Sequence, residues 1–293
     1  MPIRLSRRAL PLAALLFAAL PAAAQDPATL YFSAIPDDDE TRLQERFGKV
    51  AEYLEETLGV PVAYVPVKDY AASVTAFRND QIQLAWFGGL SGVQARRMVP
   101  GSRVIAQGAE DEAFVTYFIA NIDTGLTEAE DGSFPEGLAG LSFTFGAQGS
   151  TSGRLMPEYH LREITGQAPQ DLFSDVGFSG DHGQTLRLVA SGAYDLGALN
   201  YSVFEQAVTE GAPEIDTATV IWRTPPYPDY NWTIRGDVDA RWGEGFADKV
   251  QAALIALDDA EILASFPRSA FIEASDALYA PIENTAQELD LID

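Results

Sequence analysis

The sequence contains no cysteine and only two histidines among its 293 residues. It therefore cannot form disulfides or thiolate metal sites, and neither histidine lies in a spacing typical of a zinc site. Gly146 and Gly149 are not followed by the Gly-Lys-Ser/Thr of a nucleotide-binding P-loop. We therefore predict a protein that needs neither a metal nor a cofactor.

Basic residues are also scarce: 19 lysines and arginines stand against 43 acidic residues, giving a net charge of −24. Such a surface repels nucleic acid and anionic lipid, so neither is an expected partner. No long apolar run follows the N-terminal region, which argues against stable membrane insertion. With 47% apolar residues, the chain can build one large or two medium domains.

The first 25 residues have the pattern of a secretory signal peptide. Arg4, Arg7 and Arg8 precede the apolar run Ala9–Leu20, which is too short to span a bilayer, and small residues follow at 22–24. We predict cleavage near the end of that stretch and a periplasmic mature protein. The paired arginines leave the twin-arginine route open beside the general one.

Short strand-like runs alternate with amphipathic helices, a pattern that predicts an α/β fold with largely parallel sheets. The clearest helix is predicted over Asp39–Leu58, with Gly59 as its end and an apolar residue at every third or fourth position. Residues 123–140 lack periodicity, and Thr224–Pro228 is a stiff, proline-rich segment. The pattern predicts two lobes joined by a two-crossing hinge: lobe 1 from 26–122 and 228–293, and lobe 2 from 123–227.

The loop Gly146–Gly153 joins a predicted strand to a predicted helix over Ser152–Ile164. Ser150, Thr151 and Ser152 place three hydroxyls beside unpaired N–H groups at the helix start, which is a favourable place for an anion. A serine in this position also commonly caps the helix, so both interpretations stay open. Pro157 is expected to kink the first turn of that helix.

The two histidines differ in context. His182 lies in the glycine-rich turn Gly177–Gly183 between a strand and a helix, where α/β proteins bind ligands. It is either a ligand donor or a turn residue. His160 lies within an amphipathic helix, where a surface or a packing role is expected.

Four further residues stand at predicted strand ends or helix starts: Tyr70, Phe87, Asn200 and Tyr201. Aromatic residues usually build the core, but their shared position at one end of several strands favours a binding site. A hydrolase using Ser150 or Ser152 with His182 is an alternative, although no Gly-x-Ser-x-Gly motif is present. We expect a binding protein and not an enzyme.

At these positions the chain resembles the phosphonate/phosphite-type substrate-binding proteins of ABC importers. The resemblance covers most of the mature chain, and five motifs in order carry it: Phe32–Pro36, Asp69–Ala72, Leu84–Ser91, Gly149–Gly153 and Gly180–His182. It implies a type II periplasmic-binding fold that closes over its ligand. The implied partners are a small oxyanion and a membrane permease, with the binding protein acting as a monomer.

The resemblance also implies roles for individual residues. Ser150, Thr151, Ser152 and His182 match the positions that bind the oxyanion, and Tyr70 matches a tyrosine of the cleft. Phe87 stands where a tyrosine is common and cannot donate a hydrogen bond.

Within the family, the chain resembles most a subgroup associated with selenate, notably in the segment Ala85–Leu90 and at Asn200–Tyr201. Selenate and sulfate offer acceptors only, so they suit a pocket of donors. Protonated phosphate or phosphite also needs an acceptor, which Asp181 could supply, and this keeps phosphite and methylphosphonate as alternatives. A sensor module for a membrane kinase is the third functional class compatible with the sequence.

Overall fold

The computed structural model describes residues 28–293, so the predicted signal peptide lies outside the described residues. The strands are β1 Leu30–Ala34, β2 Val62–Tyr64, β3 Leu84–Phe87, β4 Arg103–Gly108, β5 Thr116–Asn121, β6 Ser142–Phe145, β7 Asp175–Phe178, β8 Leu196–Asn200, β9 Ala218–Arg223, β10 Asn231–Ile234 and β11 Phe271–Glu273. The α-helices are α1 Glu40–Leu58, α2 Tyr70–Arg78, α3 Gly89–Met98, α4 Met156–Thr165, α5 Pro169–Leu172, α6 His182–Ala190, α7 Tyr201–Glu210, α8 Val238–Trp242, α9 Phe246–Ile255, α10 Ala260–Ser265 and α11 Ala280–Glu288. In this part of the chain no helix combines the length and apolar character needed to cross a bilayer.

The strands form two separate sheets, each the centre of one lobe. The first has the order β11-β4-β10-β3-β1-β2, with β1 parallel to β2 and β3 and with β10 antiparallel to its neighbours. Its core includes an aromatic cluster in which Phe32, Phe47, Trp86, Trp232 and Phe266 contact one another. The second sheet has the order β7-β6-β8-β5-β9 and carries apolar clusters on both faces. The predicted α/β class is confirmed.

The chain crosses between the sheets twice, before β5 and after β9. The crossings pair with each other, since Phe114 and Tyr227 exchange two backbone hydrogen bonds of 2.9 Å. The second crossing contains the predicted Thr224–Pro228. The extension of lobe 1 to residue 122 is wrong, because β5 pairs with β8 and β9 of the second sheet. All six residues of β5 are buried, so its sequence has no exposed face and does not tell which of the two sheets the strand joins.

The helix starts follow from local chemistry. The side chain of Asp39 accepts a hydrogen bond from the first turn of α1, and Gly59 ends that helix with a left-handed φ of 69°. The predicted helix over Ser152–Ile164 begins differently. Residues Thr151–Leu155 form a π turn before α4, and Leu155 N–H donates to the Ser150 carbonyl over 3.0 Å.

Pro157 is the second residue of α4, but α4 continues the π turn without a break, since Met156 N–H donates to the Thr151 carbonyl. Proline has no N–H, so Pro157 cannot continue this ladder of backbone hydrogen bonds. The irregularity predicted for the first turn is present in the form of the π turn directly before Pro157.

A buried ion pair ties the first crossing to lobe 1. Arg268 Nε and Nη2 each donate to the Asp111 carboxylate over 2.7 Å, and both side chains are almost fully buried. The guanidinium also lies over the rings of Phe114 and Tyr230, at 5.6 and 5.4 Å from their centroids. The hinge segment is thus anchored on one side.

We expect Arg268→Met to lower the free energy of unfolding by about 3 to 5 kcal/mol, because it leaves the Asp111 carboxylate buried without a counter-charge. Urea unfolding of the ligand-free protein measures this. Arg103→Met is the control, since it breaks the exposed pair with Asp248 and should cost under about 1 kcal/mol. Equal losses in the two variants would contradict the expectation.

Candidate ligand-binding site

The three predicted hydroxyl residues line the π turn and are buried between the lobes. Ser150 Oγ accepts a hydrogen bond from Gly153 N–H at 2.9 Å, which is the capping role foreseen as the alternative. Thr151 Oγ1 accepts from Leu90 N–H of lobe 1 at 3.0 Å. Both hydroxyls act as acceptors in these bonds, so each keeps its own hydrogen to donate. Capping and ligand binding are therefore compatible at this turn.

A glycine pair of lobe 1 makes this contact possible. A Cβ at Gly88 would lie 3.3 Å from Thr151 Oγ1 and 3.2 Å from Asp229 Oδ1, and one at Gly89 would lie 3.3 Å from the same hydroxyl. Any side chain at either position would press on the opposite lobe. The β3–α3 turn thus brings its backbone directly onto the hydroxyl turn.

His182 is fully buried at the start of α6. Its Nδ1 accepts a hydrogen bond from Asn200 N–H at 3.2 Å, so the remaining proton of the neutral ring lies on Nε2. Nε2 has no protein partner in the described chain. Burial lowers the pKa of His182 to about 4. The side chain therefore offers one uncharged N–H donor at neutral pH.

Tyr70 is the first residue of α2 and is also buried. Its Cβ lies 3.2 Å from where a Cβ on Gly149 would stand, so this residue too packs against the opposite lobe. Its hydroxyl lies near Ser150 but forms no hydrogen bond of regular geometry within the described chain. Burial raises the pKa of Tyr70 well above its usual value, and the charges of Asp37 and Asp229 add to the effect. The hydroxyl is thus a second neutral donor.

Asp229, which the sequence analysis did not single out, is the buried acceptor of the site. It precedes β10, is 1% exposed, and its Oδ1 accepts from Gly89 N–H at 2.9 Å. Its Oδ2 has no protein partner, and the hydroxyls of Thr151 and Ser152 lie near the carboxylate. Burial is the main cause that raises the pKa of Asp229 to about 7. The only signal in the sequence is an acidic residue within the proline-rich crossing.

Asp181, proposed from sequence as the acceptor, has another role. Its Oδ1 accepts from Gln184 N–H at 2.6 Å and caps α6, and its side chain is 32% exposed. A capping carboxylate that faces solvent is a poor partner for a buried ligand, so the acceptor role passes to Asp229.

A second buried carboxylate lies beside the site. Asp37 Oδ1 has no protein partner, and burial raises the pKa of Asp37 to about 6 although Arg46 opposes the shift. The hydroxyl of Tyr230 lies near it and accepts from Asn200 Nδ2 at 3.1 Å. The Tyr230 ring stacks on Trp86 with centroids 5.5 Å apart. Asn200 thus contacts lobe 1 from lobe 2.

Two predicted residues lie outside this cluster. Phe87 packs edge-on against Phe77 within the core of lobe 1, at 5.6 Å between centroids. Its side chain is core, because neighbouring residues of a strand point to opposite faces and Trp86 faces Tyr230. Tyr201 is half-buried against Phe114 near the hinge, at 4.9 Å.

The site thus combines uncharged donors with a carboxylate. No hydrogen bond joins Ser150 or Ser152 to His182 within residues 28–293, so the nucleophile and base of a hydrolase are not paired. Over the same residues no group of three potential metal ligands occurs. The arrangement can hold a small anion but offers no pair of groups for covalent chemistry.

Two α/β lobes, two crossings and a buried polar site between the lobes define a type II periplasmic-binding fold. Residues 32–279 match the family described as "ABC transporter, phosphonate, periplasmic substrate-binding protein". The chain belongs to this family of binding proteins of ABC importers, which act outside the cytoplasm with a small-molecule ligand and a permease. Membership of this family gives no support to the hydrolase and sensor alternatives.

Individual relatives agree with this assignment. The probable ABC transporter phosphite binding protein PhnD1 of Prochlorococcus marinus is 39% identical over 272 residues, 91% of this chain and 92% of its own. Its structure in complex with methylphosphonate matches with a TM-score of 0.87 over 90% of this chain and 99% of that one. The phosphonates-binding periplasmic protein of Escherichia coli is 26% identical, over 68% of this chain and 58% of its own.

The raised pKa of Asp229 has a consequence for stability. Between pH 4 and 7 the folded state keeps a proton that the unfolded state releases, so this group makes folding less favourable as pH rises through that window. Asn at this position still accepts from Gly89 N–H but cannot ionise. The free energy of unfolding of Asp229→Asn minus that of the wild type should therefore be about 3 kcal/mol larger at pH 8 than at pH 4.5.

Urea unfolding of both ligand-free proteins at the two pH values measures this difference. Asp181→Asn is the matched control, because Asn retains the cap and the side chain lies partly in solvent. A stability difference between Asp229→Asn and the wild type that does not change with pH would show that the buried carboxylate carries no raised pKa.

Proposed function

We propose that this protein captures a small phosphorus oxyanion of the phosphite and methylphosphonate class in the periplasm and delivers it to a membrane permease. The observation that carries the proposal is the pairing of uncharged donors on lobe 2 with the buried Asp229 carboxylate. The donors can bind the oxygens of any tetrahedral anion, while the carboxylate distinguishes anions that carry a proton from those that do not.

The donors need no cationic side chain. Ser150, Thr151 and Ser152 stand at a helix start, where unpaired N–H groups and the helix dipole favour negative charge. His182 Nε2–H and the Tyr70 hydroxyl add donors from two further elements. Buried in a protein interior, such hydrogen bonds to a charged acceptor are stronger than in water.

The carboxylate provides the selectivity. Selenate and sulfate carry no proton near neutral pH, so binding them requires Asp229 itself to be protonated, which costs more free energy as pH rises above its pKa of about 7. A phosphorus oxyanion that carries a proton near neutral pH can donate to Oδ2. An unpaired buried acceptor costs about 1 to 3 kcal/mol, more when it is charged. This favours phosphorus oxyanions over the selenate that the sequence resemblance suggested.

The relatives support the same class. One relative is named for phosphite, its structure contains methylphosphonate, and another is named for phosphonates. The N-terminal segment with cleavage near Ala24 would serve export, and the mature protein would act as a monomer. Closure of the lobes on the ligand would present the permease with one defined surface.

Isothermal titration of the mature protein with phosphite, methylphosphonate, phosphate, selenate and sulfate tests the proposal. At pH 8, where Asp229 is mostly ionised, we expect phosphite or methylphosphonate to bind about tenfold more tightly than selenate and sulfate, which corresponds to about 1.4 kcal/mol. Asp229→Asn should reduce that preference by about tenfold, because the amide can donate to a fully deprotonated oxyanion.

The control is Asp181→Asn, which should leave the order of affinities as in the wild type. Tighter binding of selenate than of any phosphorus oxyanion by the wild type would overturn the proposal. An Asp229→Asn protein with an unchanged preference would remove the role given to this carboxylate.

A further inference from the structure

Beyond the ligand, one ion pair joins the two lobes at the protein surface. Arg42 lies in the first turn of α1 in lobe 1, and Glu210 is the last residue of α7 in lobe 2. Arg42 Nη1 and Nη2 donate to the two carboxylate oxygens of Glu210 over 3.1 and 2.9 Å. We propose that this pair is a clasp that holds the lobes closed and sets ligand affinity without contacting the ligand.

The geometry favours a specific contact over a chance encounter. Both nitrogens of the guanidinium engage both oxygens, the planar arrangement in which arginine binds carboxylates best. Gln206, one turn earlier in α7, donates to Glu210 Oε1 over 2.8 Å and orients the carboxylate. The hydrogen bond to Arg42 is the main cause that lowers the pKa of Glu210.

The clasp lies apart from the ligand site. An interlobe crevice of about 310 Å³ adjoins it, lined by residues such as Asp39, Leu186 and Val203. None of the hydroxyls at 150–152 belongs to that lining, and neither Arg42 nor Glu210 bonds to a residue of the site. A change in the clasp can therefore alter closure while the ligand contacts stay the same.

Exposure explains why the pair serves closure and not global stability. The two side chains are 46% and 45% exposed, and exposed pairs contribute little to folding. The closed state forms this contact, and separation of the lobes breaks it. The free energy of the ion pair therefore favours the closed form over the open form. Because the apparent affinity depends on the fraction of closed protein, the pair changes the affinity for every ligand by the same factor.

The inference rests on the proposed function for its ligands, and a double-mutant cycle tests it. We expect Arg42→Gln and Glu210→Gln each to raise the dissociation constants of phosphite and methylphosphonate about two- to fivefold, by the same factor for both ligands. The double variant should bind no more weakly than either single variant. At 1 M salt the difference from the wild type should shrink towards none.

Arg103→Gln is the matched control. Its side chain is 43% exposed and pairs with Asp248, but both residues belong to lobe 1. It should leave affinity unchanged. Additive effects of Arg42→Gln and Glu210→Gln, or a different factor for the two ligands, would overturn the clasp.

A second readout does not need a ligand. The chain lacks cysteine, so Glu56→Cys in α1 and Glu163→Cys in α4 place one spin label on an exposed position of each lobe. In the ligand-free protein, the distance between the two spin labels reports whether the lobes are closed. Arg42→Gln should lower the fraction of molecules with a short distance, compared with Arg103→Gln. Identical distance distributions would overturn the clasp, whereas failure of the wild type to bind any oxyanion would overturn only the proposed function.

Discussion

The contact between the Gly88-Gly89 turn of one lobe and the hydroxyl turn of the other determines the rest of the site. Leu90 N–H of lobe 1 thereby reaches the Thr151 hydroxyl of lobe 2, close to Asp229, which Gly89 N–H holds within lobe 1. A Cβ on either glycine would lie 3.3 Å from the Thr151 hydroxyl, so a side chain there would oppose this close approach. The site therefore exists as a unit only when the two backbones meet.

The same contact explains how a protein with a net charge of −24 can hold an anion. The donors are hydroxyls, an imidazole N–H and backbone N–H groups at contact distance, while exposed charges beyond about 8 Å are screened at physiological salt. Burial keeps His182 neutral and Asp229 close to protonation at neutral pH. The interior is thus neutral enough for an anion although the surface is strongly acidic.

Local patterns predicted local features well. The helix α1 covers Glu40–Leu58 where Asp39–Leu58 was predicted, because Asp39 caps its first turn and its apolar positions recur with helical spacing. The loop at 146–153 was recognised because three hydroxyls at a helix start are chemically unusual. His160 was expected to have a surface or a packing role, and its ring packs 5.5 Å from that of Trp222.

By itself, the sequence determined the α/β class, the family, the hydroxyl turn and the candidacy of Tyr70 and His182, since each depends on neighbours along the chain. Tertiary structure decided which sheet takes β5, that Phe87 is core, and that Asp229 and not Asp181 is the buried acceptor. These outcomes depend on groups far apart in the chain, such as Gly89 and Asp229. Periodicity and composition do not show which residues, far away in the sequence, will pack against a carboxylate and exclude water from it.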